Sequence, residues 1–257
     1  MAEPRTFTVE DLRVEVHETN DDLGAAAAAR AAEIINAAIA ATGHARVILA
    51  TGNSQYTFVE HLASHDVDWS KVTGFHMDEY VGISADHPAS FRRWMKERVE
   101  QRLGVRMNYI EGDAEDPEAE CRRYEQLLRI APIDLTCMGI GENGHLAFNE
   151  PGEADFHTER AVQVIRLTDE SVAQQVGEGH FDTPDDVPRE AISVTIPALL
   201  GAAKVVVSVP EARKADAVRA ALLDPVSTDL PATALRACSH AVLYLDAESA
   251  SAVADLG

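Results

Sequence analysis

Short apolar runs and longer amphipathic stretches alternate along this 257-residue chain. The short runs have the length and the β-branched content of buried strands. They lie at residues 12–17, 47–50, 72–77, 107–110, 133–138, 161–167, 191–196, 205–209 and 241–245. The stretches between them carry apolar residues at helical spacing, several with an N-cap residue or a closing glycine. We predict helices at about 22–42, 55–64, 87–102, 117–130, 169–176 and 213–223, with short helical turns at 197–200 and 232–237.

Strands that alternate with helices predict the α/β class, with a mostly parallel sheet that helices cover on both faces. No linker, internal repeat or low-complexity segment divides the sequence. We therefore predict a single domain over residues 1–257.

Composition narrows the range of partners. The 46% apolar content supports a sizeable core, and the net charge of −21 argues against nucleic acid or an anionic membrane surface as a partner. Three widely spaced cysteines with no CxxC pair predict reduced thiols, and hence the cytoplasm. The N-terminus has no apolar signal segment, and we expect no stretch long and apolar enough to span a bilayer.

Residues 133–151 are the most informative stretch of the chain. A predicted buried strand runs into Gly139-Ile140-Gly141-Glu142-Asn143-Gly144, and His145, Asn149 and Glu150 follow. Glycines let the backbone turn sharply and approach a ligand closely. The carboxyl ends of strands in open α/β sheets are where ligands bind. A histidine and a glutamate at this position indicate acid/base chemistry on a small molecule.

Two other strand ends carry candidate groups. Asp78 and Glu79 follow the strand at 72–77, and only one of two adjacent carboxylates on an extended backbone is expected to face a site. Thr51-Gly52-Asn53-Ser54 lies between a strand and a helix, an arrangement that can bind an anion with backbone N–H groups. Lys214 follows the strand at 205–209. A solvated strand end, an ordinary turn and a surface lysine are the alternative interpretations. Metal binding is disfavoured because no HxH or HExxH spacing occurs.

Taken together, the motifs resemble those of the glucosamine-6-phosphate deaminase family. The resemblance covers about residues 12–246 in the same order. Its motifs are Met77-Asp78-Glu79-Tyr80, Asp86-His87-Pro88-Ala89-Ser90, the glycine loop through His145, Phe148-Asn149-Glu150-Pro151, Thr51-Gly52-Asn53-Ser54, Lys214-Ala215, Pro225-Val226-Ser227-Thr228 and Pro231-Ala232-Thr233.

The resemblance implies a Rossmann-like α/β fold and a reaction that needs neither a metal nor an organic cofactor. Glucosamine 6-phosphate and water would give fructose 6-phosphate and ammonia. His145, supported by Glu150, would assist opening of the pyranose ring. Asp78 would carry a proton between C2 and C1 through an enediol-type intermediate. The phosphate would be held by Gly52, Asn53, Ser54 and Lys214.

The sequence also departs from the family pattern. Gln55 stands where proline is usual, and Asn143 stands where some members have a catalytic-loop aspartate; we interpret Asn143 as a residue that orients the substrate or His145. Residues 174–181 lack an arginine with which some members bind phosphate. Lys214 and the loop would then carry that role, with His180 as a further candidate. Residues 152–155 lack the serine of members activated by an acetylated amino-sugar phosphate, so we predict no such allostery.

Three other functions compete with this interpretation. A 6-phosphogluconolactonase shares the fold, but its strand-end acid is usually followed by arginine. A deaminase for another amino-sugar phosphate, such as galactosamine 6-phosphate, fits the same motifs. A non-catalytic sugar-phosphate-binding regulator is disfavoured because Asp78, His145 and Glu150 are all present. Oligomeric state stays open between monomer and homo-oligomer, since the family includes monomers and hexamers.

Overall fold

The computed structural model describes residues 3–256 and contains two β-sheets. The strands, in chain order, are β1 (Arg5–Val9), β2 (Leu12–Val16), β3 (Ala45–Leu49), β4 (Val72–His76), β5 (Asp78–Tyr80), β6 (Arg106–Asn108), β7 (Leu135–Met138), β8 (Val162–Arg166), β9 (Glu190–Val194), β10 (Lys204–Val209) and β11 (Ala241–Leu245). The large sheet has the order β1-β2-β11-β10-β7-β3-β4-β6. Only its β1–β2 pair is antiparallel. The predicted fold class is therefore confirmed.

Every predicted helix occurs, with ends that shift by a few residues. The helices are α1 (Asn20–Thr42), α2 (Tyr56–Leu62), α3 (Phe91–Met95), α4 (Gln101–Leu103), α5 (Pro117–Leu128), α6 (Asp169–Gly177), α7 (Ile196–Leu200) and α8 (Ala215–Leu223). A π-helical turn at Lys96–Glu100 joins α3 to α4 within the single helix predicted over 87–102. Short 3₁₀ turns at Asn53–Gln55, Ala212–Lys214 and Pro231–Ala237 account for the remaining predicted helical positions.

Local sequence explains where α1 begins and ends. Thr19 accepts a hydrogen bond from the Asp22 backbone N–H, and Gly43 adopts the left-handed conformation that closes a helix. Contrary to the sequence-based expectation, α1 is long and apolar enough to cross a membrane. In the structure it instead buries Leu23, Ile35 and a row of alanines against α2 and the large sheet. This is how a core helix of an α/β protein packs.

The smaller sheet was not predicted. Its three strands have the order β5-β9-β8 and both pairs are antiparallel. The sequence suggested that Asp78, Glu79 and Tyr80 end the strand at 72–77, but the chain leaves the large sheet at His76 and pairs Asp78 with Ser193. Hydrophobic periodicity could not reveal this, because it reports burial and not the identity of the partner strand. Strand β1 was missed as well, since only half-buried positions alternate along it.

The two sheets meet at the carboxyl ends of the large-sheet strands. The Val194 backbone N–H donates to the Met77 carbonyl over 2.7 Å at this junction. Apolar clusters cover both faces of the large sheet, and a third cluster, rich in aromatic side chains, lies under the small sheet. Tyr80 is at its centre, with ring centroids 5.0 Å from Phe91 and 5.3 Å from Phe148. This packing holds the small sheet as a wall beside the strand ends.

Candidate active site

The segment after β3 forms one end of a cleft. Gly52 has φ +104°, a conformation that other residues rarely adopt, and the Asn53–Gln55 turn starts directly after it. Gln55 is buried beneath the loop, where its amide donates to Ser54 Oγ at 3.2 Å and to the Ser208 carbonyl at 3.3 Å. Gln55, in the position where the family usually has proline, thus fixes the loop to β10.

Asp78 and Glu79 point in opposite directions, as strand alternation predicts. Glu79 is fully buried and accepts hydrogen bonds from Ser90 Oγ and from the backbone N–H groups at the start of α3. Asp78 lines the cleft, and its Oδ1 is buried with no hydrogen-bond partner in the described part of the chain. Burial, reinforced by the neighbouring Glu79 charge, raises the pKa of Asp78 well above its usual range. A carboxylate that is poorly solvated and unpaired is a strong base.

His145 lines the same cleft as Asp78, and its Nδ1 points away from the cleft into the protein. Nδ1 is 3.3 Å from Ser171 Oγ and 3.7 Å from Glu150 Oε1. Within residues 3–256 the ring makes its hydrogen-bond contacts at Nδ1, so Nε2 is the nitrogen that a substrate can reach. Burial lowers the pKa of His145, and the Glu150 charge opposes this effect. The imidazole is therefore neutral at rest, and Glu150 stabilises it once it accepts a proton.

Glu150 is held by a second layer of polar groups. Its Oε2 accepts from Asn143 Nδ2 at 2.9 Å and from Thr168 Oγ1 at 3.0 Å. Asn143 also accepts the His145 backbone N–H at 3.1 Å, so it orients both members of the pair. Thr168 caps α6, and Ser171 lies in the first turn of that helix. Asn143 and Glu150 therefore lie behind His145 and do not line the cleft.

Steric and polar contacts fix the shape of the catalytic loop. Any Cβ at Gly141 would overlap the His145 ring, which explains a glycine there. Asn149 donates to the Leu146 carbonyl at 2.7 Å and to the Val194 carbonyl at 2.8 Å. The Phe148 backbone N–H donates to Ser193 Oγ at 3.1 Å. Strand β9 thus holds the histidine loop through Ser193, which also pairs with Asp78 of β5, and through the adjacent Val194.

These elements line an open cleft of about 620 Å³, a volume that includes solvent at its mouth. Six of the eight predicted site residues line it, namely Gly52, Asn53, Ser54, Asp78, His145 and Lys214. The other two, Asn143 and Glu150, support His145 from behind. Within residues 3–256, no group of three His, Cys, Asp or Glu side chains is placed to hold a metal ion.

Polar groups of α6 and the segment after it complete the wall near Lys214. Gln174, Gln175, Glu178 and His180 line the cleft there. Sequence reasoning named only His180 among them. Lys214 is buried at the start of α8. Burial lowers the pKa of Lys214, and the charge of Glu178 opposes this effect. The polar segment from 177 onwards gave no periodic signal, so its approach to the cleft could not be foreseen.

Comparison with known proteins identifies the family of the chain. Residues 18–244 match the family model described as "Glucosamine-6-phosphate isomerases/6-phosphogluconolactonase". The chain belongs to this family. Among its relatives, a protein of Exiguobacterium sibiricum named glucosamine-6-phosphate deaminase is 38% identical, over 80% of this chain and 81% of its own length. A Listeria monocytogenes protein of the same name is 35% identical, over 86% of this chain and 93% of its own length.

Solved structures extend the comparison to the fold. A structure described as a monomeric glucosamine-6-phosphate deaminase superimposes with a TM-score of 0.85 at 32% identity, over 93% of this chain and 99% of that chain. A 6-phosphogluconolactonase from Shewanella baltica gives a TM-score of 0.73 at 20% identity, over 93% of this chain and 97% of that chain. The second likeness concerns the fold alone.

The backbone is strained directly before the turn that carries Lys214. Glu211 has φ +80° and ψ 142°, a region that glycine occupies readily and other residues avoid. Its N–H donates to Asp246 Oδ2 at 3.0 Å, and its carbonyl accepts from the Lys214 N–H at 3.0 Å. These bonds hold the strained turn that carries Lys214.

We predict that the free energy of unfolding of Glu211→Gly, measured by urea denaturation, exceeds that of Glu211→Ala by about 1 kcal/mol. The reason is that glycine adopts this conformation without strain. Both variants lose the side chain, so their difference isolates the backbone. Equal stability, or greater stability of Glu211→Ala, would show that the turn is not strained.

Proposed function

We propose that this protein is an enzyme that converts glucosamine 6-phosphate and water to fructose 6-phosphate and ammonia, in amino-sugar catabolism. The observation that carries the proposal is the buried Asp78 Oδ1, which has no hydrogen-bond partner within residues 3–256 and belongs to a carboxylate in the same cleft as His145, with Glu150 behind that histidine. Relatives at 35–38% identity that bear the deaminase name support it. The same cleft would hold the sugar phosphate as substrate, in a single catalytic domain of a cytoplasmic protein.

Ring opening is assigned to His145. Its neutral Nε2 accepts the proton of the anomeric hydroxyl, and the resulting imidazolium protonates the ring oxygen as the C1–O5 bond breaks. The Glu150 charge stabilises the imidazolium between these two transfers, and Asn143 and Ser171 keep the ring oriented. The histidine is neutral again at the end, and the sugar is an open-chain aldehyde.

Isomerisation is assigned to Asp78. The carboxylate removes the proton on C2, and an enolamine with a C1–C2 double bond forms as the aldehyde oxygen takes up a proton from water. The same carboxyl returns its proton to C1, which leaves an iminium ion at C2. Water adds to this iminium ion, and the adduct loses ammonia and one proton, which balances the proton taken up earlier, as the C2 ketone of fructose 6-phosphate forms. The raised pKa of Asp78 suits this role, since a base must compete for a weakly acidic carbon-bound proton.

The opposite end of the cleft is assigned to the phosphate. Backbone N–H groups of Gly52 and Asn53 and the Ser54 hydroxyl would bind its oxygens, and the Lys214 ammonium would balance part of its charge. The protein carries a net charge of −21, so a local cation is needed to hold an anionic substrate.

A coupled assay for ammonia and fructose 6-phosphate tests the function. Glucosamine 6-phosphate, galactosamine 6-phosphate and 6-phosphogluconolactone should be compared side by side. We expect ammonia and fructose 6-phosphate from the first substrate at the highest kcat/KM. Turnover of either alternative without turnover of glucosamine 6-phosphate would overturn the proposal.

Asp78→Asn should lower kcat by roughly 10²-fold or more, because the amide keeps the shape of the side chain but cannot accept the C2 proton. Binding of fructose 6-phosphate, measured by calorimetry, should change little. Asp86→Asn, an exposed change in the following loop, is the matched control. Activity of Asp78→Asn within tenfold of the unmodified protein would remove Asp78 from the role of base.

The pH profile of kcat offers an independent test. Asp78 acts only when ionised and its pKa is raised, so activity should fall as pH decreases through that raised value. Glu79→Gln removes a charge that raises this pKa, and the acid limb should therefore move to lower pH. Glu97→Gln, an exposed change beyond α3, should leave the limb in place. An unchanged limb in Glu79→Gln would assign it to another group, such as His145.

A further inference from the structure

The phosphate end of the cleft contains an unexpected carboxylate. Glu178 lines the cleft, and its side chain is only 10% exposed. Burial alone would raise the pKa of Glu178, but hydrogen bonds from Arg213 and Gln174 outweigh this and hold the pKa below its usual range. An ionised carboxylate therefore stands where an anionic substrate group has to bind.

Arg213 is the residue that Glu178 neutralises. The Arg213 Nη1 atom is 2.7 Å from Glu178 Oε1 and 2.9 Å from Glu142 Oε1, and Nε is 2.6 Å from Glu211 Oε2. Lys214, the next residue, is the one lysine or arginine that lines the cleft within residues 3–256. Three carboxylates thus accompany two cations, and a phosphate dianion that entered this arrangement unchanged would be repelled.

Only one of the three carboxylates lies between Arg213 and the cleft. Glu142 and Glu211 are 38% and 37% exposed and do not line the cleft, so water screens their charges. Glu178 is buried and lines the cleft, so its charge acts directly on any anion there. Displacing Glu178 would expose the guanidinium of Arg213 to the substrate.

We propose that Arg213 is a second phosphate-binding residue, and that Glu178 is its internal counter-ion, which the substrate phosphate displaces. This inference rests on the proposed function, because it assumes a phosphorylated substrate. A guanidinium suits the task, since its planar donors match phosphate oxygens in pairs.

The backbone around Glu178 allows such an exchange. Glu178 is the C-cap residue of α6, and Gly177 and Gly179 flank it. Among residues 3–256, no side-chain atom beyond the two adjacent residues lies within 4 Å of the position that a Cβ would take at either glycine, so other side chains do not crowd this segment. His180 Nε2, 3.5 Å from Glu178 Oε2, and Gln174 Nε2, 2.9 Å from Oε1, offer the carboxylate partners after it leaves Arg213.

The test compares phosphate binding and steady-state kinetics in matched variants. In Arg213→Gln, we expect KM for glucosamine 6-phosphate, and the Kd of inorganic phosphate and of fructose 6-phosphate from calorimetry, to rise about 10- to 100-fold with little change in kcat. Arg213→Lys should recover part of this affinity. Arg219→Gln, which removes a half-exposed arginine from α8, the helix that follows Arg213, should bind as the unmodified protein does.

The direction in which Glu178→Gln changes phosphate affinity decides between two roles for Glu178. Removal of a competitor should tighten phosphate binding, by roughly threefold or more, whereas removal of a mere support for Arg213 would weaken it. The gain should shrink in the double variant Arg213→Gln/Glu178→Gln, because the two residues act on each other.

Two results would overturn the inference: phosphate binding by Arg213→Gln equal to that of Arg219→Gln, or weaker binding by Glu178→Gln. If Arg213→Gln does not fold, Arg213→Lys and Glu178→Gln carry the same test. Calorimetry with inorganic phosphate does not require turnover. A protein that shows this binding pattern yet releases no ammonia from glucosamine 6-phosphate would contradict the proposed function and leave the role of Arg213 intact.

Discussion

The antiparallel pairing of Asp78 with Ser193 is the contact on which the site depends. It turns the chain out of the large sheet directly after His76 and places the Asp78 carboxylate in the cleft, away from bulk water. The neighbouring residue in β9, Val194, accepts a hydrogen bond from Asn149, while Ser193 Oγ accepts the Phe148 N–H. One short strand therefore sets the position of the candidate base and of the loop that carries the candidate acid. Such coupling matters, because both groups have to reach adjacent atoms of one sugar.

Asp78 and Glu79 show how burial can give two adjacent carboxylates separate roles. Glu79 has its charge compensated by Ser90, by backbone N–H groups at the start of α3 and by the nearby Arg92. Asp78 is buried to a similar degree, but its Oδ1 has no partner within the described residues. The first arrangement stabilises the fold, since an ionised group with several donors is tolerated in the interior. The second arrangement keeps a carboxylate poorly solvated, which costs stability and strengthens the base.

Much of this could be predicted from the sequence, because the informative residues follow strands directly. The glycine loop through His145, the Thr51–Ser54 segment and Lys214 each come after a buried apolar run, and parallel strands bring their carboxyl ends together. The small sheet, Thr168, Ser171 and Glu178 could not be predicted in the same way. Their roles depend on which segments pack together across long sequence separations, and hydrophobic periodicity carries no such information. The resemblance to a family supplied roles for residues, but in place of the missing arginine the sequence suggested only Lys214, the loop and His180, and it did not single out Arg213.

The arrangement of charges near Lys214 follows from the burial of that lysine. An ammonium taken out of water without a partner tends to lose its proton, and burial indeed lowers the pKa of Lys214. Glu178 opposes this change, so in the absence of substrate it helps keep Lys214 charged. A phosphate group that enters the cleft brings its own negative charge and can replace the carboxylate in this role. The carboxylate that repels an anion is thus also the group that keeps the cation ready for it. A site of this kind favours a dianionic phosphate over weaker anions, because only a ligand with enough charge can compensate both Lys214 and Arg213 after Glu178 moves away.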